Sequence, residues 1–109
     1  MMGTKENAAL DRLVLVERAF NEVSPGVEVW VGVLRAPGWR LGYGRIPITK
    51  RWGLMLRERG LTPTPVLLAP VEVYEAASEV LPDLVDEVIR HVQEVTRRVE
   101  KALRAVRGR

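Results

Sequence analysis

The chain has 109 residues, which is enough for one domain and too few for two ordinary ones. It has no cysteine, no apolar run of membrane-spanning length and no signal-like N-terminus, which excludes disulfides and thiolate chemistry and predicts a cytoplasmic protein without a membrane partner. The net charge of +3 is unevenly distributed, because residues 29–57 carry six cations and no acid, whereas the rest carries eleven cations and fourteen acids. A local positive field of this kind favours nucleic acid as the partner.

The first predicted element is an amphipathic helix from about Lys5 to Val23. Leu10, Leu13 and Phe20 recur at helical spacing in this segment, and the Pro-Gly dipeptide at 25–26 marks its end.

The next predicted element is a β-hairpin. Residues 27–35, VEVWVGVLR, alternate strictly and place four valines on one face of a strand, with Trp30 on the other. Pro37 and Gly38 suit the central positions of a type II turn, and residues 39–46, WRLGYGRI, continue as a second strand.

With this turn at its centre, the hairpin pairs Trp30 with Arg45 and Gly32 with Tyr43. Valines then lie opposite Gly42 and Gly44, an arrangement that leaves room for a helix on the core face. Trp30, Tyr43 and Arg45 are therefore expected to point away from the core.

Residues 50–60, KRWGLMLRERG, are predicted as a short helix that Thr49 caps and Gly60 closes. Residues 62–70 suggest a loop into a third strand, and Pro70 and Pro82 each suit the first turn of a following helix.

A long final helix is predicted over residues 82–107, because apolar residues follow alternating steps of three and four from Leu81 onward. A helix of this length cannot be covered by a small domain, so we expect a homodimer or homotetramer, the alternative being a helix folded back over its own domain. The predicted organisation is an α+β nucleic-acid-binding domain over residues 1–81 and a coiled-coil-like oligomerisation helix over residues 82–109. The predicted oligomerisation residues are valines: Val85, Val88, Val92, Val95, Val99 and Val106.

Catalysis finds little support in the sequence. His91 is the only histidine, and the acidic cluster Asp83, Asp86 and Glu87 is explained by the preference for carboxylates at a helix N-terminus. We therefore expect a protein that is not an enzyme and that needs neither a metal nor a cofactor.

The hairpin and the segment after it combine aromatic rings with cations, as single-stranded nucleic acid requires for base stacking and phosphate contact. The alternative is that the tryptophans fill the core and the arginines solvate its rim, and Trp52 is expected to be a core residue. The predicted stacking residues are Trp30, Trp39 and Tyr43, and the predicted phosphate contacts are Arg35, Arg40, Arg45, Lys50 and Arg51.

The order of parts resembles the ThermoDBP and ThermoDBP-related family of single-stranded DNA-binding proteins from hyperthermophilic archaea. The resemblance is carried by the leading helix, the hairpin VWVGVLRAPGWRLGYGRI, the stretch TKRWG and the C-terminal helix. It implies a sheet with helices on one face, DNA held by aromatic and basic side chains, and a dimer or tetramer. The site residues named above follow from the hairpin pairing and not from the family.

The sequence thus predicts an α+β homo-oligomer with a small antiparallel sheet, helices packed on one face and a long C-terminal helix. Its expected function is binding of single-stranded DNA without sequence preference, with RNA left open. Two alternatives remain: a dimeric regulator that binds double-stranded DNA, and a protein–protein interaction module.

Overall fold

A computed structural model of the chain describes residues 4–23 and 25–108. Four antiparallel strands form one sheet in the order β1-β2-β3-β4, and helices precede and follow it. This arrangement confirms the predicted α+β class. The elements in chain order are α1 (Thr4–Val23), β1 (Val29–Gly32), β2 (Trp39–Arg45), β3 (Trp52–Glu58), β4 (Thr64–Pro65), a 3₁₀ turn (Val66–Leu68), α2 (Val71–Ser78) and α3 (Leu81–Arg107).

The core lies between the sheet and the three helices. Helix α1 packs on α2 and β3, and α3 packs on β1. Val29 and Val33 are buried in this core, with Val27 and Val31 packed against it, so the predicted valine face is confirmed. Burial of such side chains stabilises the fold by roughly 1.5–3 kcal/mol each.

The register of the β1–β2 hairpin differs from the prediction. The expected turn forms, with Gly38 at φ 90° and the Trp39 amide donating to the Ala36 carbonyl at 3.0 Å. A second turn precedes it, because the Ala36 amide donates to the Val33 carbonyl at 3.1 Å. The connection therefore spans residues 34–38, and the Val33 amide closes the hairpin on the Trp39 carbonyl at 3.0 Å.

Because of this longer connection, the side chains of β2 lie on the opposite faces of the sheet from those that the predicted pairing gives. Trp30 lies opposite Gly42 instead of Arg45, and Val29 lies opposite Tyr43. The shift is an odd number of residues, and an odd shift exchanges the two faces of a strand. The glycines of β2 consequently lie on the face away from the helices.

Tyr43 is a core residue, and its predicted exposure is wrong. Its side chain is only 1% exposed, and its ring packs edge-on against Phe20 with the centroids 5.0 Å apart. The hydroxyl donates a hydrogen bond to the side-chain oxygen of Asn21 at 2.7 Å.

Residues 52–58 form strand β3, so the predicted helix over residues 50–60 is wrong. Lys50 adopts φ 62° in a tight turn that reverses the chain, so that β3 runs antiparallel beside β2. The Ile46 amide donates to the Arg51 carbonyl at 2.9 Å within this turn. Thr49 accepts a hydrogen bond from the Arg51 amide within this turn and caps no helix. Seven residue pairs join β2 to β3, a pairing that outweighs the weak local preference of the segment.

The short strand β4 ends at Pro65, so the third strand predicted within residues 62–70 has only two residues. The next part of the β3 edge is covered by α1, because the Glu17 carboxylate accepts a hydrogen bond from the Leu54 amide at 2.6 Å. Helix α2 follows Pro70, and Pro82 lies in the first turn of α3, as predicted.

Helix α3 has two halves with different surroundings. Leu84 and Val88 are buried in the core, whereas the valines of the second half are exposed: Val95 by 48%, Val99 by 61% and Val106 by 70%. The helix has 27 residues, or about 40 Å at ~1.5 Å per residue, and its second half extends from a molecule whose longest dimension is 64 Å. Among the described residues, no helix is both long and apolar enough to cross a membrane.

We expect Tyr43→Ala to lower the free energy of unfolding by about 3–5 kcal/mol, since the change removes a buried ring and leaves a cavity. Chemical denaturation followed by circular dichroism measures this difference. Leu34→Ala is the matched control, because Leu34 is 81% exposed and its loss should change stability little. Equal stabilities of the two variants would show that Tyr43 does not lie in the core.

Candidate nucleic-acid interface

The face of the sheet turned away from the helices, here called the outer face, is built around Trp30. Its ring lies on Gly42 of the neighbouring strand, so closely that a Cβ atom added to Gly42 would be 2.5 Å from the ring. A side chain at position 42 would therefore displace the ring, and with glycine there Trp30 lies along the sheet surface.

Two polar contacts hold the Trp30 ring. Its indole Nε1 donates to the Glu28 carboxylate at 3.1 Å. The guanidinium carbon of Arg57 lies 4.5 Å from the ring centroid, within the range of a cation–π interaction. Trp30 points away from the core as predicted, but these neighbours cover much of it.

A groove lies at the end of the sheet where the β1–β2 connection and the β3–β4 turn meet. We call it the arginine groove, because Arg40, Arg57 and Arg59 line it and no acidic residue does. Its volume is about 760 Å³. The complete lining is Gly32, Val33, Leu34, Pro37, Gly38, Trp39, Arg40, Arg57, Arg59, Gly60 and Leu61.

The two turns that border the arginine groove are joined through the backbone. The Arg59 amide donates to the Gly38 carbonyl at 2.8 Å, and both Gly38 and Gly60 have positive φ angles. Arg40 and Arg57 are direct cross-strand partners, so two like charges lie side by side at the edge of the groove.

The structure separates the five cations that the sequence predicted as phosphate contacts. Arg40 lines the arginine groove, whereas Arg35 forms an ion pair with Glu79 at 2.5 Å. Arg45 donates from Nε to the Lys50 carbonyl at 3.2 Å, and Arg51 lies in the same turn at the opposite end of β2. Arg45 lies five positions after Arg40, which corresponds to roughly 17 Å along a strand.

The predicted stacking residues are likewise in different places. Trp39 is half-buried against the core and lines the arginine groove. Tyr43 is buried. Trp52, expected in the core, is 41% exposed and has its ring centroid 5.7 Å from that of Tyr43.

The sequence-based prediction of phosphate contacts did not include Arg57 and Arg59, which line the candidate site. The available signal was the alternation of Arg57, Glu58 and Arg59. In a strand and the turn that follows it, this alternation places both arginines on the face opposite to Glu58. The helix predicted over residues 50–60 would instead place these two arginines on different sides, because residues two apart do not share a helical face.

Within the described residues, no group of three or more histidine, cysteine or acidic side chains could hold a metal ion. His91 contacts the Glu87 carbonyl one turn earlier on its own helix through Nδ1 at 2.8 Å.

Comparisons of the chain with protein-family models, with curated proteins and with solved structures found no match. The resemblance to the ThermoDBP group therefore stays a prediction.

Burial raises the pKa of the Tyr43 hydroxyl above its ordinary value, and the nearby Glu17 carboxylate raises this pKa further. Both effects disfavour the phenolate in the folded protein. A tyrosine in the unfolded chain ionises near pH ~10, so the unfolded state loses its proton first as the pH rises.

We expect the free energy of unfolding to fall as the pH rises from about 10 toward the folded-state pKa of Tyr43, because the unfolded state then binds fewer protons than the native state. Denaturation of the parent and of Tyr43→Phe across this range measures the effect. The phenylalanine variant keeps Tyr74 but lacks the Tyr43 proton, so it should lose less stability per pH unit. Identical pH profiles would contradict the assignment.

Proposed function

We propose that this protein binds single-stranded DNA without sequence preference and without catalysis, RNA being the alternative ligand. The observation that supports the proposal is the arginine groove, which three arginines line and no acidic residue does. Arginine matches phosphate oxygens with paired N–H donors, and a site without carboxylates does not repel the anion.

The shape of the groove favours a flexible strand over a small molecule or a duplex. The groove is open to solvent, and half-buried Trp39 belongs to its lining together with the arginines. A single strand can turn its phosphates toward the arginines and its bases toward an aromatic ring, an arrangement typical of binding without sequence preference.

A regulator that binds double-stranded DNA is the second candidate, because the second half of α3 projects from the domain and could enter a major groove. Arg90, Arg97 and Arg104 form a row on this helix. Arg90 is ion-paired with Glu87, and Arg97 lies 3.6 Å from Glu94, so carboxylates offset much of the positive charge there. The arginine groove is the better phosphate site for this reason.

Oligomerisation through the second half of α3 is part of the proposal. Ile89 and Leu103, 48% and 46% exposed, extend the apolar stripe beside Val95, Val99 and Val106. Val88 is excluded from such an interface because it packs in the core of its own chain, and Val85 and Val92 are partly covered in the same way.

We expect Arg40→Gln and Arg59→Gln each to weaken binding of an oligo-dT strand and to reduce the salt dependence. The slope of log K against log salt should decrease by about 0.7 for each phosphate contact that is lost. Fluorescence anisotropy over a range of salt concentrations measures both quantities.

Arg104→Gln is the matched control, because it removes one exposed arginine outside the groove. The groove is not the binding site if all three variants retain the parent affinity and slope. Parallel titrations with an RNA strand and a duplex distinguish the alternative ligands.

We expect a Val99→Glu, Leu103→Glu double variant to dissociate the oligomer, because four or more carboxylates would be brought into an apolar contact. Light scattering on the full chain measures the mass, and circular dichroism checks that the helix remains. Lys101→Glu is the control on the polar side of the same turn. An unchanged oligomer in the double variant would place the interface elsewhere.

A further inference from the structure

We infer that Trp30 acts as the platform that positions Arg57 for phosphate binding, and that it does not stack on a base. The inference rests on the proposed function and specifies which chemical part of the strand this region contacts: the phosphates.

The inner face of the Trp30 ring is occupied by the sheet. A Cβ atom added to Gly42 would lie 2.5, 2.6 and 2.8 Å from three consecutive atoms of the six-membered ring. Such similar distances require that the atom sit above the flat face of the ring and not at its edge. No base can reach that face.

The outer face of the same ring is occupied by Arg57. Its guanidinium carbon lies 4.5 Å from the ring centroid, and Gly42 leaves only the opposite face for it. The indole N–H is also engaged, since it donates to Glu28. A base could stack on Trp30 only by displacing the guanidinium group.

The position of Arg57 matters because Arg40 is its cross-strand partner. Side chains of directly opposed residues on one face start about 4.5–5.5 Å apart, and two like charges there repel each other. The ring holds one of the two guanidinium groups in place despite this repulsion. A phosphate between Arg40 and Arg57 would attract both guanidinium groups and offset their mutual repulsion. The geometry that is unfavourable in the free protein therefore favours an anion.

The test compares an oligo-dT strand with inorganic polyphosphate, which has the charges but no bases, as ligands of the full-length protein. The variants are Trp30→Leu, Arg57→Gln and the double variant. Trp52→Leu is the matched control, because it removes a half-exposed tryptophan from the other end of the sheet.

We expect Trp30→Leu to weaken binding of both polymers by the same factor, about two- to fivefold, which is the range for an exposed cation–π contact. The salt slope for oligo-dT should decrease together with affinity, and the double variant should bind no more weakly than Arg57→Gln alone. Gly42→Ala is a second route to the same effect, since its methyl group must push the ring off the sheet.

Loss of affinity for oligo-dT alone, with polyphosphate binding and salt slope unchanged, would show that Trp30 stacks on bases and would overturn the inference. Additive effects of Trp30→Leu and Arg57→Gln would overturn it too. If the parent protein binds neither polymer, the proposed function itself is wrong, and the role inferred for Arg57 falls with it. The parent titration and the variant titrations therefore separate the two failures.

Discussion

The five-residue connection between Val33 and Trp39 determines the register of the β1–β2 hairpin, and every assignment of a side chain to a face depends on that register. With this connection, Tyr43 joins Phe20 in the core and Gly42 lies beneath Trp30. A connection shorter or longer by one residue would exchange these positions, because side chains alternate along a strand. The register is thus a condition for both the core and the outer face.

The same register brings together cations that are distant in the sequence. Residues 29–57 contain six cations, yet only Arg40 and Arg57 from this segment line the arginine groove, and Arg59 joins them from just beyond it. A segment rich in positive charge is therefore not equivalent to a binding surface. The β2–β3 pairing and the turn that follows decide which arginines line the same groove.

Helix α3 combines two kinds of packing within one apolar repeat. Its first half supplies Leu84 and Val88 to the core, and its second half leaves Val95, Val99 and Val106 exposed. The heptad spacing is continuous through both halves, so periodicity alone cannot separate them. The division follows from the size of the domain, since the sheet reaches only the first half of the helix.

The sequence by itself determined the α+β class, the first helix, the buried valine face of β1 and the extent of α3, because local periodicity and turn residues carry that information. The register of β2, the strand character of residues 52–58 and the arginine groove were decided by the tertiary structure. These features depend on hydrogen bonds and side-chain contacts between residues distant in sequence, such as Glu17 with Leu54 and Trp30 with Arg57. Alternation within β2 shows which of its residues share a face, but only the pairing of β2 with β1 shows which of its two faces is buried.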